Sequence, residues 1–234
     1  LVFFASGCAS APAPAPALAP APALAPAPAS ALAPLEERLL SAHTFHIRAR
    51  LATSGRIQSH FEGTVDAGEG QRMRFAMQGA FGGKDADVLF VSDGARMRGG
   101  ARGQPLDEPA APALREGVVV GFVRMGLTHD LARLATGKTP DYVDGSVRRH
   151  LEAVGVTHAP GEPVRGAATE AWTWSLFVDQ KKSADETLWV DAKTALPLRR
   201  RVVVHFPEGD MEVGEEYEEM TVDAPVAEEV FRIP

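Results

Sequence analysis

The chain has 234 residues, a net charge of −7 and a single cysteine. One cysteine rules out an internal disulfide, the usual staple of small secreted domains. The negative balance argues against nucleic acid and against an electrostatic hold on anionic membranes. About 200 residues remain outside a low-complexity N-terminal stretch, enough for one domain with a sizeable core.

Residues 1–8 begin with apolar Leu1-Val2-Phe3-Phe4, continue with small Ala5-Ser6-Gly7 and end at Cys8. An apolar run followed by small residues is how a secretory signal ends. With neither an initiating Met nor a basic stretch before it, the expectation is that more sequence precedes. Small residues directly before the only cysteine resemble the lipobox of bacterial lipoproteins, with Ala5 where leucine is usual. That resemblance implies lipidation at Cys8 and a membrane anchor without a transmembrane helix. Ala9 in place of Asp implies the outer membrane, and so a periplasmic-face location in the cell envelope. Residues 9–34 are dominated by an Ala-Pro repeat, which proline biases toward extended polyproline II, so they are expected to be a disordered, semi-rigid spacer. At about 3.1 Å per residue it could reach roughly 70 Å.

Pro34 opens a short helix, LEERLLSAH, with Glu36 and Glu37 in its first turn and Leu35, Leu39 and Leu40 on one face. Strands follow. Phe45, Ile47, Ala49 and Leu51 alternate with His46, Arg48 and Arg50. Ile57, Phe61 and Val65 oppose Gln58, His60, Glu62 and Thr64. Met73, Phe75, Met77 and Phe81 oppose Arg72, Arg74 and Gln78. Val88 to Val91 is apolar on both faces and ends at Ser92-Asp93-Gly94, a turn signal. This half reads as an antiparallel meander with one face rich in Arg and His and one apolar face.

Residues 104–112 are Pro-rich and expected to be irregular. Residues 113–135 read as one helix, with Val118, Val119, Phe122, Val123, Leu127, Leu131 and Leu134 apolar; its first part is apolar nearly all round yet too short to cross a bilayer. Residues 144–156 lean toward strand at their end. Trp172, Trp174, Leu176 and Val178 alternate with Thr173, Ser175 and Phe177. The clearest pattern is the hairpin at 187–206: a strand at Leu188-Trp189-Val190, a polar turn, then Leu198, Val202, Val204 and Phe206 on an apolar face that only Arg200 breaks. Residues 211–222 form a last acidic strand, whose Glu215–Glu219 run is expected to be a solvated edge.

The order helix, strands, helices, strands predicts an α+β, mainly β fold. Its centre is a strongly curved antiparallel sheet forming an incomplete β-barrel, with helices covering the concave apolar face. Two readings of that face stay open: a cleft the helices do not quite fill, or an ordinary packed core. Arg200 is expected to be paired to an acidic neighbour or set at a cavity mouth.

Several stretches carry a family resemblance. They are the helix and meander, Val91-Ser92-Asp93-Gly94, the helical insertion, Leu188-Trp189-Val190-Asp191, Thr194-Ala195-Leu196-Pro197-Leu198-Arg199, and the ending 226–234. In order and spacing they resemble the LolA/LolB superfamily of envelope lipoprotein carriers and acceptors, which includes the lipid-sensing domain of RseB. The resemblance covers residues 35–234, with Ala195 where the turn often has Gly. It implies non-covalent binding of lipid or lipoprotein acyl chains in a hydrophobic cavity, as part of envelope lipid or lipoprotein trafficking. The alternative is an envelope sensor of the RseB type, with a packed core and a surface binding site.

The candidate cavity lining is Phe45, Ile47, Phe61, Met73, Phe75, Met77, Trp172, Trp174, Val202 and Val204, with Val119, Phe122 and Val123 as lid. Lipid or an acylated lipoprotein is the expected partner, the chain is expected to be monomeric, and neither cofactor nor metal is anticipated. Enzyme signals fail. Gly137-Lys138-Thr139 imitates the end of a P-loop but position 132 is Ala, no G-x-S-x-G elbow occurs, and His43 and His46 would splay apart.

Overall fold

The computed structural model describes residues 31–101, 104–135 and 147–233. Cys8, nearly all of the Ala-Pro stretch and Gly137-Lys138-Thr139 lie outside them. The ordered core begins slightly earlier than the sequence pattern suggests. Leu32 is fully buried and its carbonyl accepts from Leu35 and Glu36, opening helix α1 (Ala33–Ser41).

Twelve strands then build one antiparallel sheet. The first seven are β1 (Phe45–Gly55), β2 (Ser59–Ala67), β3 (Arg72–Phe81), β4 (Lys84–Asp85), β5 (Val88–Asp93), β6 (Arg96–Ala101) and β7 (Gln104–Pro109). After the helices come β8 (Leu151–Pro160), β9 (Thr169–Val178), β10 (Lys181–Asp191), β11 (Pro197–Val204) and β12 (Met211–Val222). The spatial order is β7-β6-β5-β3-β2-β1-β12-β11-β10-β9-β8, with β4 paired to β3. The two ends, β7 and β8, do not pair, so the barrel is incomplete.

Glycines let the strands bend. A Cβ on Gly63 would lie 2.0 Å from the carbonyl oxygen of Ala76, and one on Gly99 would lie 1.8 Å from that of Leu89. Only glycine permits this approach, and such positions curl a sheet. Helices α2 (Leu114–Met125), α3 (Leu127–Ala135) and α4 (Val147–His150) lie on the concave side. Helix α3 touches β5, β6 and β12. Four strands separate β6 from β12 in the sheet, so one short helix reaches both only because the sheet curls around it.

Several sequence expectations change. The single helix over 113–135 is two, because Gly126 adopts φ 90° and breaks the run. The supposedly irregular 104–112 stretch contains edge strand β7, and β6 was missed; Gly99, Gly100, Pro105 and Pro109 hid both from a propensity reading. After β12 the segment Glu228–Phe231 forms a 3₁₀ turn with Phe231 buried. Phe81 was expected on the apolar face, yet at the end of β3 it is 46% exposed. The acidic run 215–219 is no edge: β12 lies between β1 and β11, and Glu215 is fully buried.

Candidate functional site

The concave face collects the residues that the alternation assigned to it. Phe45 and Ile47 of β1, Phe61 of β2, Met73, Phe75 and Met77 of β3, Trp174 of β9 and Val202 of β11 all belong to one buried apolar cluster. Trp172 and Val204 sit at its margin, half-buried but packed against it. Val119, Phe122 and Val123 of α2 enter the same cluster and are at most 1% exposed. Phe75 meets Phe90 edge-on, with centroids 6.1 Å apart, and Phe122 meets Tyr217 in the same way at 5.3 Å. Phe90, Met97, Leu188 and Tyr217 are equally buried parts of this floor. Sequence reasoning passed over them because they lie on strands apolar on both faces, or within acidic or short segments.

Beneath the junction of α2 and α3 the apolar floor gives way to charge. Arg200, which interrupts the apolar face of β11, is buried and ion-paired to Glu186 of β10 at 2.5 Å. Its Nη2 donates to the carbonyls of Phe122 (2.7 Å) and Val123 (2.8 Å), the last turn of α2, and its Nε donates to Tyr217 at 3.2 Å. The Tyr217 hydroxyl donates in turn to Glu215. Glu215 accepts from the backbone N–H groups of Leu127 (3.0 Å) and Thr128 (2.7 Å), the first turn of α3. A guanidinium thus sits at the C-terminus of one helix and a carboxylate at the N-terminus of the next, each matched to the local helix dipole. Gly126 between them is obligatory, since a Cβ there would lie 2.6 Å from both Glu215 carboxylate oxygens.

The cluster is rich in carboxyl groups. Asp130 of α3 is buried against Gly121 of α2 with neither oxygen hydrogen-bonded. Burial, then the nearby Glu215, pushes its pKa well above the usual carboxylate range. Burial also pushes Glu186 up to about 7, although Arg200 pulls the other way. One sequence signal could have revealed both glutamates. Glu186 shares the pleat phase of Leu188 and Val190, and Glu215 that of Val213 and Tyr217, so period-2 counting points both inward.

The opposite end of the helical cover is tied differently. Glu36 of α1 is buried and holds Arg124 of α2 at 2.6 Å together with Arg148 of α4. Arg148 also reaches Glu116 at 3.2 Å, and Arg124 donates to the carbonyls of Arg148 and Leu151. Arg115 caps the end of α1 through the carbonyls of Leu39 (2.9 Å) and Ala42 (2.6 Å).

The outer face is polar and self-neutralised. Arg48 and Arg50 pair with Glu218, Arg201 with Glu212, and Arg199 with Glu162. A cleft of about 1050 Å³ opens there, lined by groups that include Arg50, Glu62, Trp189, Arg199 and Glu216. The two histidines weighed as a metal pair each face a carboxylate instead, His43 toward Glu69 and His46 toward Asp66. No group of three or more metal-ligating side chains occurs among the described residues, and none of their helices is long and apolar enough to cross a membrane.

No protein-family model and no curated protein matches the chain. Among solved structures it is similar to MucB in the MucA/MucB complex of Pseudomonas aeruginosa, at 14% identity and a TM-score of 0.42 over 87% of this chain. The matched part is 61% of the MucB chain, so the sequence spans about three fifths of that protein. It is also similar to a LolA superfamily protein from Nitrosomonas europaea, at 11% identity and a TM-score of 0.29, over 86% of this chain and 96% of that one. A third similarity is to an outer membrane lipoprotein-sorting protein domain from Vibrio parahaemolyticus, at 8% identity and a TM-score of 0.32, over 86% of this chain and 94% of that one. The superfamily that the sequence motifs resemble is thus among these matches. At such scores they carry no ligand, partner or activity over to this chain.

Proposed function

We propose that the chain binds lipid or lipoprotein acyl chains non-covalently on the concave face of its sheet, in the space α2 now fills. In this reading Cys8 carries a lipid anchor at the periplasmic face of the outer membrane, and residues 9–34 hold the domain off the bilayer. One observation supports it above the others: the α2 residues buried on the sheet, Val118, Val119, Val120, Phe122 and Val123, form a plain hydrocarbon surface. An acyl chain can replace such a surface, group for group. Buried Met73, Met77 and Met97 line the floor, and methionine repacks readily around different shapes. Each methylene buried contributes about 0.8 kcal/mol, so a long chain can offset displacement of one short helix without any catalytic group.

An apolar dye titrated into the chain tests this: dye binds, and long-chain lipids compete it away. Phe75→Asp, which places a charge on the floor, abolishes lipid retention while circular dichroism shows the sheet intact. Phe122→Ala loosens the cover and raises dye uptake. Unchanged retention in Phe75→Asp counts against this lining.

A second reading is a sensor with a permanently packed core, using its surface to bind. The completeness of burial under α2 and the 1050 Å³ outer cleft favour it. Its signature is a chain that takes up neither dye nor lipid.

A further inference from the structure

The cleft on the outer face has a floor of small residues and two polar walls. Its floor is Gly214 of β12 beside its cross-strand neighbour Ala52 of β1. Gly214 lacks the left-handed φ that would demand glycine, and among the described residues no atom lies within 4 Å of where its Cβ would stand. The pairing register runs unbroken through it on both sides, so it marks no bulge. A glycine inside a central strand weakens it, and one that the backbone does not need points to close approach by something else. Arg50 of β1 and its cross-strand neighbour Glu62 of β2 form one wall. The other is built by residues 161–168, between β8 and β9, which reach back over the outer face of β10 and β11. Glu162 pairs with Arg199 of β11, and Arg165 bonds the Tyr217 carbonyl and Glu216 of β12. Arg199 in turn lies 4.0 Å over the Trp189 ring, so indole and guanidinium make one flat plate.

The charges around the cleft decide what it can hold. Outward Arg50, Arg199 and Arg201 stand among Glu62, Glu162, Glu212 and Glu216, three cations against four anions and almost no net charge. An anionic ligand meets the carboxylates, and a cationic one meets the guanidinium groups. The pairs are also closed, Arg201 with Glu212 at 3.1 Å and Arg199 with Glu162. A charged peptide must open them to be recognised. A hydroxyl need not, because a guanidinium has more N–H donors, and a carboxylate more lone pairs, than one ion pair uses. Each pair therefore keeps a donor and an acceptor side by side. Neighbouring hydroxyls on a sugar ring, each able to donate and accept, match that arrangement, and the ring's apolar C–H face suits the flat plate.

We infer that this cleft binds an uncharged oligosaccharide, one sugar ring lying over Gly214 between the Trp189–Arg199 plate and the Arg50–Glu62 wall. The inference goes beyond the acyl-binding reading, which concerns the opposite face of the sheet. Its test is isothermal calorimetry on the intact chain with the N-acetylglucosamine tetramer, maltotetraose, the galacturonate tetramer and an alternating Lys-Glu octapeptide. At least one neutral tetramer binds with a Kd below about 1 mM, and galacturonate and the peptide bind at least about tenfold more weakly. Gly214→Leu fills the floor where a side chain has room, so it weakens that tetramer at least about tenfold without lowering the denaturation midpoint. Glu212→Gln weakens the neutral tetramer a few-fold and tightens galacturonate, a crossing that general loosening of the sheet does not produce. Neither neutral tetramer reaching about 1 mM overturns the inference, as does galacturonate or the peptide coming within that tenfold. A Gly214→Leu or Glu212→Gln chain that binds sugar like the parent overturns it too. None of these outcomes bears on dye and lipid uptake at the concave face, so the two readings fail separately.

Discussion

Two buried charged networks hold the helices to the sheet, and they are built to opposite accounts. At the α1 end a single carboxylate, Glu36, serves two arginines, and the spare donors of Arg124 end on backbone carbonyls. At the α2–α3 junction a single guanidinium, Arg200, faces Glu186 and Glu215 with Asp130 close by, and oxygens of Glu186 and Asp130 go unpaired. In the first network both Glu36 oxygens are paired, and it behaves as a fastening. The second holds the ends of two helices through a cluster in which several carboxyl oxygens are left unpaired. Burying charge does not by itself make a joint firm; what matters is whether every partner is supplied.

The largest expected effect comes from breaking the fastening. Glu36→Ala leaves Arg124 buried without its carboxylate and costs about 3–5 kcal/mol, read as a fall in the chemical-denaturation midpoint. Hydrogen exchange in this variant rises first in α1 and α4. The pH dependence of the other network comes next. Because the folded pKa of Glu186 is raised, its contribution is greatest below the unfolded value near 4.5 and is lost as pH rises through about 7. Glu186→Gln flattens that slope and is more stable than the parent at neutral pH by at most about 3 kcal/mol. A parent whose stability does not fall across this window contradicts the contrast drawn between the two networks. Below pH 4 the trend reverses, since Asp93 and Asp191, held low first by backbone N–H bonds, lose those bonds on protonation.

The smallest effect concerns the turn against which α1 rests. Ala195 adopts φ 53°, and the carbonyl of Thr194 beside it accepts from Arg38 of α1. Relief of the left-handed strain outweighs the extra freedom of the unfolded glycine. Ala195→Gly therefore stabilises by about 0.5–1 kcal/mol, seen as a rise of a few degrees in Tm.

How far the residues spoke for themselves varies along the chain. Phe45-to-Leu51, Met73-to-Met77 and Trp172-to-Val178 were readable because a half-buried strand must alternate, and these do so without interruption. That most of these side chains turn inward to the buried cluster followed directly from that alternation. Asp130 left no comparable trace, since a single acid on a short amphipathic helix is ordinarily on its wet side. The break at Gly126 was hidden inside an otherwise continuous helical period.

What the amino-acid order determined alone is the local periodicity: in the strands that alternate cleanly, which side chains share a face and where the apolar surface lies. The depth of each strand in the sheet was decided by tertiary pairing. β1 and β12 meet across the whole length of the domain, and that closure turns an acidic run that reads as a solvated edge into the centre of the sheet. It also carries Glu215 into the interior, under the first turn of α3. Alternation is a property of neighbours along the chain. Burial of a charge depends on what the rest of the molecule places above it, and no window of sequence contains that.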